Sequence, residues 1–78
     1  MSKVTIVKEL TRSGSGASQC LVKKGKDYFV VSSVIAMFSG FETLVFPSDK
    51  DGHVTDYGEV AGGRGVGREE AIEQLKNN

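Results

Sequence analysis

Apolar and polar residues alternate through most of the chain. Between residues 3 and 10, Val4, Ile6 and Leu10 share one face, interrupted by Lys8. Thr5, Val7 and Glu9 share the other, and the pattern predicts a strand. Small residues from Arg12 to Ser18 read as a hairpin loop or an exposed flap. Gln19 to Lys24 reads as a second strand with Cys20 and Val22 on one side. Gly25 and Lys26 then suit a type II′ turn, because glycine leads the pair. Asp27 to Ala36 is apolar on both faces and rich in Val, Ile, Tyr and Phe, as a central strand covered on both sides would be. Gly40 breaks that run. Glu42 to Phe46 reads as a fourth strand, ended by Pro47, which has no N–H for a sheet ladder. The segment from Ser48 to Gly52 has turn chemistry, and His53 to Tyr57 reads as a short fifth strand in a hairpin with the fourth.

The period changes near the C-terminus. Ala71, Ile72 and Leu75 fall on one face of a helix over residues 68–76. Glu69 and Glu70 sit in its first turn and Lys76 in its last, as the helix dipole favours, and Asn77 can end it. A glycine-rich loop, Gly62 to Gly67, leads into it. One short helix after several strands predicts an α+β fold: an antiparallel meander sheet of four or five strands with one C-terminal helix packed on one face, in a single domain spanning 1–78. Ile72 and Leu75 are expected to dock on the central strand at Phe29, Val30 or Ile35.

Composition narrows the functions. A chain of 78 residues with 38% apolar content allows one small core. A domain of that size buries only ~60% of its unfolded surface. Cys20 is the one cysteine, so an intramolecular disulfide is excluded. One Cys with one His, His53, cannot supply a Cys/His zinc set. The longest apolar runs fall far short of a membrane span, and the first ten residues lack the long apolar region of a signal peptide. The expectation is a cytoplasmic protein without a membrane contact.

Charge adds one asymmetry. Ten basic and ten acidic residues cancel, yet residues 1–26 carry six basic residues and one acid, and residues 27–78 carry four basic residues and nine acids. Such a split marks a face for a charged partner unless strands from the two halves interleave.

Four motifs fall short of the chemistry they suggest. Gly62 and Gly67 have the glycine spacing of a phosphate-binding loop, but Arg68 stands where its lysine belongs and Glu69 where its Ser/Thr belongs. Asp49, Asp51 and Gly52 resemble part of a calcium loop. That register puts Pro47 at the first ligand position and Gly58 at the bidentate one, so a turn is expected and no metal. Lys24, Gly25 and Tyr28 fit an RNA-recognition strand, whereas Lys26, Asp27, Phe29 and Val31 do not. Cys20 and His53 could form a thiol–imidazole pair, but neither lies in a catalytic signature. No nucleophile, base and oxyanion set can be assembled, so neither an enzyme nor a cofactor is expected.

The stretch from Glu42 to Val60 combines three features: Glu42 and Thr43 followed by Phe46 and Pro47, Asp49 followed by Gly52, and Val54, Thr55, Asp56 and Tyr57. With Glu69, Glu70 and Ala71 opening a helix, it resembles small uncharacterised proteins of bacteriophages and prophages. The resemblance covers the C-terminal half. It implies a phage or bacterial origin and a host-cytoplasmic setting, and it transfers no functional residue.

The functional expectation is a small non-enzymatic accessory protein that binds a larger macromolecule, a host or phage protein. Inhibition of a host defence or replication protein is one concrete form. The alternative is a nucleic-acid-binding module. For nucleic acid or an acidic protein surface, the candidate contacts are Lys23, Lys24 and Lys26 around the tight turn, extended along the strand by Arg12. For a basic partner they are Asp49, Asp51 and Asp56. Lys3 and Lys8 on the first strand would blunt open pairing, so a monomer or weak dimer is expected.

Overall fold

The computed structural model describes residues 3–10, 17–36 and 40–77. Five strands, β1 (Val4–Glu9), β2 (Ala17–Lys24), β3 (Asp27–Ala36), β4 (Gly40–Ser48) and β5 (Ala61–Arg64), are followed by one helix, α1 (Arg68–Lys76). The strands form one sheet in the order β1-β2-β3-β4-β5, every pair antiparallel. This is the expected α+β meander.

The tight β2–β3 turn follows from Gly25. Its φ of 62° is the left-handed value that glycine adopts without steric cost, and Lys24 pairs with Asp27 across the two-residue connection.

Pro47 does not end β4. It pairs with Phe29 of β3, and its carbonyl oxygen accepts the Thr55 N–H on the other side. A residue's N and O point to the same side of an antiparallel strand, so the missing N–H of Pro47 also points away from β3. Strand β5 pairs with β4 only from Glu42 to Val45, so no ladder bond is lost there.

The fifth strand is not His53 to Tyr57. That segment makes one isolated bridge, Ser48 to Val54, and β5 forms instead from Ala61 to Arg64. Glycine is a poor strand former in general, but here it is required. At Gly62, with φ of 96°, a Cβ would lie 2.0 Å from the Thr43 carbonyl oxygen. The bare backbone lets β5 close against β4, and Gln74 Oε1 of α1 then accepts the Gly62 N–H at 2.9 Å.

Strand pairing places Cys20, Val31 and Val45 in one row and Val22 and Phe29 in the next. On this face Ala71 and Leu75 of α1 join Cys20, Val22, Val31 and Val45 in the core, with Val4, Phe29, Ala61, Val66 and Ile72 packed around them. The helix therefore docks at Phe29, as expected, but at Val31 rather than Val30. Val30 pairs with Leu21 and Phe46 on the opposite face, where Val30 and Leu21 are buried. The Ile35 side chain lies outside the described residues. Val31 on one face of β3 and Val30 on the other are both buried, although Val34 on the second face is exposed.

Polar groups fix the helix at each end. Arg68 donates to both carboxylate oxygens of Glu9, at 2.9 and 3.2 Å, and to Ser18 Oγ, which ties the helix start to β1 and β2. Lys24 Nζ donates to the Leu75 carbonyl at the other end. No described helix is long and apolar enough to cross a membrane.

Candidate docking surface

Twelve residues, 49–60, separate β4 from β5. Loops of this length inside a small domain are uncommon and frequently functional. This one is braced from within. Asp49 Oδ1 accepts the N–H groups of Asp51 and His53, both at 2.9 Å, and Asp56 Oδ1 accepts that of Gly58 at 2.8 Å. These are the local side-chain bonds that make Asp a turn residue. The Thr55 and Val60 N–H groups return to the β4 carbonyls of Pro47 and Val45. At Gly52 a Cβ would touch Leu10 at 3.0 Å, so the turn rests on the end of β1.

The loop presents Tyr57. Its ring stands edge-on to Phe46, with centroids 5.9 Å apart, yet the residue is 80% exposed. The same loop carries the carboxylates of Asp49, Asp51, Asp56 and Glu59, against Lys50 and a single His53. The end of the loop borders an open groove lined by Glu59, Val60, Ala61 and Gly62 on one side and Gln74 and Asn77 on the other. The surface therefore combines an aromatic anchor with negative charge on a preformed backbone. Preformed loops lose little entropy on binding.

Asp49, Asp51 and His53 each bring one potential ligand atom into a cluster within 4.8 Å. The Asp49 carboxylate is committed to the turn. It accepts two backbone N–H groups and lies 3.3 Å from His53 Nδ1. The His53 backbone N–H above all holds the pKa of the Asp49 carboxyl below the usual carboxylate range. The arrangement braces a turn, as the Asp and Gly turn chemistry of residues 48–52 predicts.

Lys23 and Lys24 of the tight turn are not brought together. Lys23 and Lys24 are adjacent in β2 and so face opposite sides of the sheet. Lys23 Nζ lies over the Tyr28 ring, 5.5 Å from its centroid, whereas Lys24 Nζ is 2.6 Å from the Leu75 carbonyl on the helix side. Lys26 is exposed in the turn. Arg12 lies outside the described residues.

Cys20 and His53 occupy separate regions. Cys20 is fully buried beneath α1, and burial pushes its thiol pKa up, with Arg68 acting in the opposite direction. His53 is exposed in the loop beside Asp49. The Gly62 to Gly67 segment is part strand and part helix entry. Arg68 turns back to Glu9 and Ser18.

Tyr57 is the surface residue that sequence reasoning missed. Within a short strand from His53 to Tyr57 it has no surface role of its own. The signal that could have found it is the run Asp56, Tyr57, Gly58, whose Asp and Gly favour a turn over a strand. No known protein family, curated protein or solved structure matches the chain.

Proposed function

We propose that this is a small non-enzymatic protein that acts by docking on a larger macromolecule, and that the loop from Asp49 to Val60 is its contact surface. The observation that carries this reading is Tyr57, edge-on to Phe46 and exposed in a self-braced acidic loop. Exposed aromatic anchors dominate many interfaces, and acidic surroundings select a basic partner. The burial of Cys20 and the surface position of His53 favour binding over catalysis. Inhibition of a host protein by a phage or bacterial accessory protein is one concrete form of such docking.

The second reading, a nucleic-acid-binding module, would use Lys23, Lys26 and Arg12. The commitment of Lys24 to the helix end weakens it. Titration with a random DNA or RNA oligomer at two salt concentrations separates the readings. Docking on a basic protein predicts negligible oligomer affinity. Micromolar affinity with a steep salt dependence would favour the rival.

A further inference from the structure

The open groove beside β5 has a volume of about 550 Å³. One wall is the end of the loop and the start of β5, from Glu59 to Gly62, and the other is Gln74 and Asn77 at the end of α1. Hydrogen bonds fix the walls. The Val60 N–H donates to the Val45 carbonyl at 2.9 Å, and the Gly62 N–H donates to Gln74 Oε1 at 2.9 Å. The groove is therefore built into the fold. Small-molecule sites bury ~70–90% of their ligand, which an open groove does not. A groove of this kind suits one side chain delivered by a larger partner.

We infer that this groove receives an arginine side chain of the basic partner, an inference that rests on the docking reading above. The lining chooses the chemistry. Glu59 supplies the one formal charge, and none of the lining residues is basic. Gln74 and Asn77 belong to the last turn and cap of α1, where the negative end of the helix dipole favours a cation. Val60, 39% exposed, offers an apolar surface to an aliphatic stem. A planar guanidinium can meet a carboxylate with two parallel hydrogen bonds, which an ammonium cannot. The Asn77 side-chain carbonyl can accept a further N–H. Gln74 Oε1 is already taken by Gly62, so its amide nitrogen remains to donate to a backbone carbonyl of the incoming residue.

The neighbouring cations are engaged elsewhere. Lys76 lies 3.4 Å from Glu73, and Lys24 donates to the Leu75 carbonyl; neither lines the groove. Glu59 is two residues from Tyr57, so the groove continues the proposed contact surface. A partner that packs on the Tyr57 ring can place an arginine in the groove beside it.

An amide NMR titration of the full chain with N-acetyl-arginine amide tests this without the partner. Its neutral isostere, N-acetyl-citrulline amide, is the control at matched ionic strength. The expected result is saturable shifts at Glu59, Val60, Gly62 and Asn77, with a dissociation constant of about 1–10 mM, the scale of one exposed charge pair. The citrulline probe should bind about tenfold more weakly or worse, and Glu59→Gln should weaken the arginine probe by a similar factor. Asp51→Asn removes an equal charge outside the groove and should leave the affinity unchanged. The same spectra verify that both variants are folded. Absence of saturable shifts up to about 50 mM, several times the expected constant, would overturn the inference. So would equal binding of the two probes, or equal losses in Glu59→Gln and Asp51→Asn. Any of these results would leave the Tyr57 reading standing, because that reading is tested separately by partner binding to Tyr57→Ala.

Discussion

Lys24 Nζ lies 2.6 Å from the carbonyl oxygen of Leu75 and donates to it across 51 residues of sequence. The contact joins the tight turn of the sheet to the last turn of the helix, where unpaired carbonyls and the negative end of the dipole attract a cation. Lys24→Met keeps the aliphatic stem and removes the ammonium. It should destabilise the fold by about 1–2 kcal/mol, the range for a hydrogen bond to a charged group at a helix end. Urea unfolding measures this. Reversing all three turn lysines to Glu should therefore cost stability through Lys24, whereas Lys23→Glu with Lys26→Glu should not.

Leu75 fills the space between α1 and the row of Cys20, Val31 and Val45, and it is almost wholly buried. Leu75→Ala should cost about 2–5 kcal/mol, the range for large-to-small core substitutions. Thermal and urea unfolding provide the check, and a neutral result would mean that the helix is not docked.

Gly62 has no room for a side chain against the Thr43 carbonyl. Gly62→Ala must push β5 off β4 and disturb the Gln74 contact, so it should cost more than about 3 kcal/mol, among the severe single-residue effects. Gly65, with open space around it, offers a control. Its φ of 78° still disfavours alanine, but only by about 1–2 kcal/mol.

Asp49 makes stability depend on acid. The backbone N–H of His53 stabilises its carboxylate, so its folded pKa lies below the unfolded value of about 3.9. The stabilisation is complete above the unfolded value and is lost as pH falls through the folded one. Asp49→Ala should be less stable than the parent at neutral pH. The difference should narrow steadily below about pH 4, where the parent carboxylate becomes protonated. Urea melts at several pH values read this directly.

Most of the fold was legible because strands β1 to β4 and the helix carry strong periodicity. Strand β5 was hidden because Ala61, Gly62 and Gly63 offer no strand propensity. Their pairing depends on a tertiary approach to Thr43 and on the Gln74 side chain. His53 to Tyr57 misled for the converse reason. Val54, Thr55 and Tyr57 are β-branched or aromatic strand formers, but Asp49 and Asp56 capture the local N–H groups and hold a loop. The choice of Val31 over Val30 was also hidden, since both faces of β3 are apolar and alternation cannot say which face meets the helix. The acidic part of the proposed docking surface was visible in Asp49, Asp51 and Asp56. Tyr57 emerged only with the loop.

The proposed docking surface is tested most directly by titrating a partner captured from bacterial lysate against three folded forms: the parent chain, Tyr57→Ala, and the pair Lys23→Glu with Lys26→Glu. The account predicts that Tyr57→Ala weakens binding about 30-fold, the scale of an aromatic hot spot, while the lysine pair binds as the parent does. Unchanged binding by Tyr57→Ala, with loss in the lysine pair, would contradict it.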